Sequence, residues 1–373
     1  METNNPISLY IHIPFCAHIC AYCDFVRVGY HQDLAKRFVV RFKEDLSLRQ
    51  GQMFKSVYIG GGTPTALTLD LLEEVLLAIQ PFLTADAELT IEANPENFSE
   101  DKIRLCAKFG VNRVSLGVQS VQSRLLQLIG RKHSLQDAEN VIRQLRENGI
   151  DNISADGMYG LPTQTVSDFQ ETIQWMIDQK LPHVSLYALT IEPNSAFGRK
   201  HLSSVDNSLE GEFYQLAIDM LSAAGYDHYE ISNFSLDNKE SRHNLTYWHY
   251  DDFAAIGPGA SGKENHRRYT VSKNIHRYLS EGIRYDEEIV LSLEDEMFEF
   301  VMMGLRLKAG IERKIFSDRF AKDIPDVFFG AIEKNTKKGW LKLSDTHLTA
   351  SAEGRLFLHD LLIDFMEVEI TDA

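Results

Sequence analysis

The sequence is short of positive charge. Its 38 Lys and Arg stand against 54 Asp and Glu, a formal charge of −16 at pH 7. Phosphate backbones and anionic lipid surfaces are bound through a surplus of Lys and Arg, so a general nucleic-acid partner is excluded and a standing attraction to membranes is disfavoured. No apolar run approaches the roughly 18 residues of a transmembrane segment, and METNNPI at the start has neither the basic residues nor the apolar core of a secretory signal. Cysteine is scarce too, four in 373 residues, which does not suit a disulfide framework and sets the expectation of a reducing, cytoplasmic compartment. What remains, 44% hydrophobic and 25% charged residues, is an ordinary globular balance with material for a core.

Three of the four cysteines, Cys16, Cys20 and Cys23, fall within the run FCAHICAYCDF. An odd, tight cluster cannot close on itself as disulfides, and metal ligation is the better reading. A structural zinc wants four closed ligands, and no C-x-x-C or H-x-x-x-H partner follows to complete them. Three thiolates can hold a [4Fe–4S] cluster with one iron lacking a protein ligand. Cys106, alone in IRLCAKFG, reads as a small buried hydrophobe on a helix.

Short β-rich runs alternate with helical stretches. Residues 7–15, 56–62, 88–95, 113–120, 152–162 and 183–190 read as strands, and between them apolar residues recur at helical spacing, as in Leu71, Leu72, Val75, Leu76 and Ile79. This βαβα order predicts a parallel sheet. Six units suit a partial (β/α)6 barrel, whose site lies at the C-terminal ends of the strands, where the cysteine loop follows the first. The chain turns polar at 203–208 and 235–241, and we expect a division at residue 280, with 1–280 as the core and its extension and 281–373 as a smaller C-terminal α+β domain. In the latter, 293–307 and 316–320 read as helices and 339–354 as a hairpin leading into a helix through Met366, a winged-helix-like order. Acidic surroundings favour a lid or docking role over DNA binding.

Other residues join the cysteines at the strand ends. GGGTPT, with Gly61, Gly62 and Thr63, follows the second strand; alone it reads equally as a tight turn, but beside the cysteine loop it reads as a cradle for a ligand. Glu92 ends the third strand, Gln119 the fourth, Arg131 follows in LIGRKH, and Asp156 lies in ADGMYGLP. Arg131 can pair with a carboxylate, Glu92 with ribose hydroxyls, and Asp156 with ribose hydroxyls or an amine. Tyr10 and Tyr22 are candidates to line the same pocket, though buried tyrosine is more often core. In RHNLTYWHY, His243, Asn244, Tyr247 and Trp248 form H-N-x-x-Y-W; imidazole ligates heme iron, and Tyr and Trp offer flat faces to a macrocycle. From the residues alone, a packed aromatic corner around a hydrogen-bonded histidine is the commoner outcome. His228 and His249 are rival ligands, and IGPGASG (256–262) reads as a flexible turn near the same mouth.

C-x-x-x-C-x-x-C resembles the motif of the radical S-adenosylmethionine enzymes, in which the open iron chelates S-adenosylmethionine. With YIHIPFC, GGGTPT, EANP, GVQS, R-x-H, D-x-M-Y-G-L-P and YEISNF added, nearly the whole chain is similar to the family of oxygen-independent coproporphyrinogen III oxidase and its heme-chaperone branch. That resemblance implies that Tyr10, Gly61 and Glu92 serve the cluster-bound S-adenosylmethionine, and that Gly62, Thr63, Gln119, Arg131 and Asp156 match positions serving a second one in the oxidase. Two departures point away from the oxidase: Phe25 stands where that branch has a further cysteine, and only fifteen residues precede Cys16. The H-N-x-x-Y-W motif is similar to the chaperone pattern and favours heme as a ligand of His243, Asn244, Tyr247 and Trp248. The expectation is a heme carrier without coproporphyrinogen oxidase activity, with an acceptor apo-hemoprotein and an electron donor as partners and a possible homodimer. Its rivals are the decarboxylase and another radical enzyme such as a methyltransferase.

Overall fold

In this computed structural model the described residues are 5–366. Six parallel strands lie in sequence order side by side: β1 (Ile7–Ile13), β2 (Phe54–Gly61), β3 (Leu83–Ala93), β4 (Arg113–Gln119), β5 (Ile153–Tyr159) and β6 (His183–Ala188). All six expected strands are present. Helices α1 (Gln32–Ser47), α2 (Leu69–Ile79), α3 (Glu100–Lys108), α4 (Leu135–Glu147) and α5 (Val166–Asp178) cross between them. Two start at capping boxes, Ser134 with Asp137 and Thr165 with Asp168, each satisfying two orphan helix donors.

The strands alternate. Leu9, Ile11, Val57, Ile59, Leu89, Ile91, Val114, Leu116, Ala155 and Val184 are buried on the face the helices cover. The intervening residues are polar: Ser8, Tyr10 and His12 on β1, Ser56 and Tyr58 on β2, Glu88, Thr90 and Glu92 on β3, Ser115 on β4, Ser154 and Asp156 on β5. Side chains two apart share a face, so the concave side of this partial barrel is hydrophilic, unlike a parallel sheet buried on both faces.

The sheet runs beyond the six strands. Past β6 lie β8 (Asn233–Ser235) and then β7 (Asp227–Glu230), both antiparallel, after helix α6 (Asn207–Ala223). Past β1 lie β9 (Phe253–Ile256), parallel to it, and then β10 (Ser261–Glu264), β11 (Arg267–Val271) and β12 (Tyr285–Val290) as an antiparallel meander. The expected turn at 256–262 is therefore the reversal between β9 and β10. β12 carries the large sheet past residue 280, where the division was expected. Between β8 and β9 sits the short helix α7 (Arg242–Trp248).

The C-terminal unit holds α8 (Leu293–Gly304), β13 (Ile311–Glu312), α9 (Arg313–Phe320), α10 (Ile324–Lys337), the hairpin β14 (Leu341–Leu343) and β15 (His347–Ala350), and α11 (Leu358–Met366). It has its own core around Phe300, Phe316, Phe328, Leu348 and Phe365, which also takes in Tyr250. Phe316 is fully buried and rings of Phe300, Phe320 and Phe328 surround it. Phe316→Ala should cost about 3–5 kcal/mol by chemical denaturation; a loss below about 1 kcal/mol would show that this core does not depend on it.

Candidate functional site

The cysteine loop is tied down at both ends. Phe15–Cys16 pairs with Val28–Gly29, with Val28 N–H donating to Pro14 O at 2.7 Å and Tyr30 N–H to Cys16 O at 2.8 Å. Midway, Ala21 N–H donates to Ile129 O and Phe197 N–H to Ala21 O. Cys16 is buried and Cys20 and Cys23 are half-buried, all as free thiols. Burial pushes the Cys16 thiol up to about 11, opposed by the Thr63 hydroxyl at 3.9 Å and reinforced by Cys23 and Cys20. Burial raises Cys23 as well. Such thiols become thiolates beside a strongly positive centre. No group of three His, Cys, Asp or Glu side chains among the described residues closes round a single metal ion. Three soft donors on one loop, without a fourth, fit a multi-iron cluster better than an isolated zinc.

The glycines bring β2 against this loop. A Cβ on Gly60 would lie 2.8 Å from Glu92 Oε1, one on Gly61 (φ +111°) 2.7 Å from the His12 ring, and one on Gly62 2.8 Å from Phe15 O. Their N–H groups are already used: Gly61 donates to Glu92 Oε2, Gly62 to Ile13 O, and Thr63 to Phe15 O. Those three N–H groups are therefore not free for a bound group, which leaves this segment its carbonyl oxygens and the threonine hydroxyls.

Across the mouth, Glu92 also accepts from Tyr58 Oη at 2.9 Å. Burial lifts its carboxyl to about 7; Tyr58 opposes the shift and Asp156 adds to it. Asp156 is lifted to about 6 by burial, against hydrogen bonds from Ser115 and Ser185; Ser115 Oγ lies 3.0 Å from both of its oxygens. Two carboxyls that disfavour their own charge stand ready to accept or donate hydrogen bonds near neutral pH. Arg131 is buried with Nη1 3.8 Å from Glu96 Oε1 and with no hydrogen bond at Nε or Nη1, and it borders Tyr22 and Cys20. Gly117 makes room there, since a Cβ would meet Arg131 Nη2 at 2.7 Å and Asn94 Oδ1 at 2.9 Å. Gln119 ends β4 in the left-handed region, φ +67°, a strained conformation common at functional sites. The structure thus brings Tyr22, Glu92, Gln119, Arg131 and Asp156 to one mouth. It adds His12, Tyr58 and Asn94, which the residue-type reading missed although the period-two pattern in YIHIP places Tyr10 and His12 on one face.

His243 is elsewhere. Helix α7 enters the barrel from the N-terminal ends of the strands, and His243 is 0% exposed. Its Nδ1 lies 2.9 Å from Ser56 Oγ and its Nε2 2.8 Å from Tyr247 Oη. Its ring packs on Tyr58, and burial depresses it to about 3. Glu88 accepts the backbone N–H groups of His243 and Arg242, a favourable place for a carboxylate at a helix start. With both nitrogens engaged, His243 offers iron no free lone pair here; the packed aromatic corner is what forms. Asn244 enters through its backbone N–H, bonded by Ser241 Oγ. Trp248 turns toward α8, with the Arg306 guanidinium 4.5 Å above its ring. His228 is stacked on Phe234 and bonded to Ile231 O, and His249 is exposed at the end of α7.

Tyr247 reaches the other way. With Tyr10, Phe25, Val26, Phe253 and Lys273 it borders a cavity of about 490 Å³ next to the cysteine loop, within the roughly 300–1,000 Å³ range of ligand pockets. Tyr10 Oη donates to His12 Nδ1 at 3.0 Å, because His12 Nε2–H is given to Val26 O at 2.7 Å.

Residues 10–176 match the Radical SAM superfamily and residues 291–357 the HemN C-terminal domain. Heme chaperone HemW of Lactococcus lactis is 37% identical over 84% of this chain and 85% of its own length. The Bacillus subtilis and Escherichia coli proteins of the same name are each 32% identical, over 96% and 97% of this chain. Among solved structures, the Escherichia coli coproporphyrinogen III oxidase HemN superposes with a TM-score of 0.85 at 20% identity, covering 96% of this chain and 90% of that one, a likeness of fold.

A pH test follows from Glu92. Its folded pKa, about 7, lies above the ordinary carboxyl value of about 4.3, so the native state holds the extra proton. The stability that gives is full below the unfolded pKa and is lost as pH rises through the folded one. Relative to wild type, Glu92→Gln should therefore gain stability between pH 5 and pH 8 in urea titrations; a pH-independent difference would contradict the shift.

Proposed function

The chain belongs to the HemW family of radical S-adenosylmethionine proteins, and on that premise we propose that it binds heme and passes it to an acceptor apoprotein. In this reading Cys16, Cys20 and Cys23 hold a [4Fe–4S] cluster. The open iron of such a cluster supplies a chelation point for the amino and carboxylate groups of S-adenosylmethionine. Around it the chain's own residues bind and orient: Arg131 has N–H groups without a hydrogen bond for an anionic group, Glu92 and Asp156 accept from hydroxyls, and Tyr10 and Tyr22 pack beside them. One arrangement carries the proposal: the cysteine loop, through Phe25 and Val26, and the H-N-x-x-Y-W helix, through Tyr247, border the same cavity.

Phe25 is 68% exposed and supplies an apolar face where the oxidase branch has a sulfur. That favours retention of a flat apolar ligand over porphyrinogen decarboxylation. The small C-terminal unit is the proposed docking surface for the acceptor. We place the protein in the cytoplasm; among the described residues no helix is long and apolar enough to cross a membrane.

Anaerobic reconstitution followed by iron analysis tests the cluster: Cys16→Ser, Cys20→Ser or Cys23→Ser should each lose cluster iron, whereas Cys106→Ser, buried far along α3, should keep it. Equal iron in all four would remove the ligand assignment. Titration of the reconstituted protein with heme should saturate, with no coproporphyrinogen III consumed under reducing conditions. Absence of saturable binding, together with substrate loss, would favour the decarboxylase.

A further inference from the structure

We propose that Tyr247, and not His243, is the group that the H-N-x-x-Y-W helix presents to heme, ligating ferric iron through its phenolic oxygen with His243 as proton acceptor. The inference rests on the heme-binding reading above and deepens it.

The hydrogen-bond chain inside the barrel gives the direction of each proton. Thr246 Oγ1 donates to Arg242 O at 3.4 Å, so it accepts from Ser8 Oγ at 2.7 Å. Ser56 Oγ donates to Ser8 Oγ at 2.7 Å. A hydroxyl has one proton to give, so Ser56 must accept from His243, which places the imidazole proton on Nδ1. Nε2 is then a bare lone pair, and the Tyr247 hydroxyl 2.8 Å away donates to it. The serines thus set the tautomer that makes His243 a base toward Tyr247.

Of the two residues, only Tyr247 borders the cavity. His12, which lines the cavity, is bonded at both ring nitrogens, and His243 is fully buried with both of its nitrogens bonded. Tyrosine is an established protein ligand of heme iron, and hydrogen bonds to a ligand tune its basicity. On binding, the water on ferric iron leaves, the iron–oxygen bond forms, and the phenolic proton passes to Nε2 of His243. No electron moves, and the hydrogen bond persists with its direction reversed. When the iron departs, the proton returns from Nε2 to the phenolic oxygen along the same 2.8 Å hydrogen bond. Phe25, Val26 and Phe253 give the macrocycle apolar walls, and Lys273, on the same lining as Asp24, gives a propionate one cation.

Full-length protein titrated with ferric heme, read by resonance Raman and visible spectra, tests this. Wild type should show the iron–phenolate signature. Tyr247→Phe should lose it and bind at least about tenfold more weakly. Tyr247→His should keep binding and exchange the signature for an imidazole one, which serves if the Phe variant fails to fold. His243→Gln should keep the phenolate signature, shifted, with affinity down about tenfold. An unchanged spectrum in Tyr247→Phe, or imidazole ligation in wild type, overturns the ligand assignment while heme carriage stands. If wild type binds no heme, the carriage reading fails and this one with it.

Discussion

Polar side chains that leave water must find partners inside, and this barrel turns a polar face inward. Ser8, Ser56, Glu88, Thr90, Ser115, Ser154 and Asp156 all lie on its concave side. At the N-terminal ends of the strands the need is met by a plug: α7 brings His243 and Thr246 to Ser8 and Ser56, and Glu88 takes the free N–H groups at its start. Closing that end leaves the C-terminal mouth as the open one. There Arg131 Nε and Nη1 have no hydrogen-bond partner, burial lifts the carboxyls of Glu92 and Asp156 toward neutrality, and the cysteine loop borders Arg131.

The same helix joins the two cores. Its inward side holds Tyr247 at the cavity, Trp248 lies under Arg306 just after α8, and Tyr250, one turn later, belongs to the C-terminal core and donates to Glu299 Oε2 at 2.7 Å. A sequence of eight residues, 243–250, therefore touches the barrel interior, the cavity and the C-terminal unit in turn. That arrangement gives the H-N-x-x-Y-W motif a structural reason beyond ligand contact, since His243 bonds Ser56 and Tyr247 while Trp248 packs under Arg306.

Much of this was legible in the residues. The six inner strands announced themselves by apolar alternation and turn residues, and the C-x-x-x-C-x-x-C spacing by itself marked the cysteine loop. The meander β9–β12 did not stand out, because strands such as Arg267–Val271 and Tyr285–Val290 are rich in charge and are held by their partners and by pairs such as Arg267 with Glu288. Helix α10 escaped as well; Pro325 in its first turn reads as readily as a break. The position of His243 was the hardest to foresee. Its residue type and neighbours suit a heme ligand, but whether its ring faces a cavity or a row of serines is decided by strands almost two hundred residues away in sequence. Tyr58 and His12 were missed for the same reason: their partners, Glu92 and Val26, are set by the fold.

The central claim is that the chain gives heme away without consuming it. The direct measurement mixes heme-loaded, cluster-reconstituted protein with an apo b-type hemoprotein under anaerobic, reducing conditions, and follows both the acceptor's absorbance and 5′-deoxyadenosine in the same sample. Transfer of heme in proportion to that lost by the chain, without a matching yield of 5′-deoxyadenosine, is the predicted result. Heme that stays bound, or that is lost together with stoichiometric 5′-deoxyadenosine and a changed porphyrin, would contradict it.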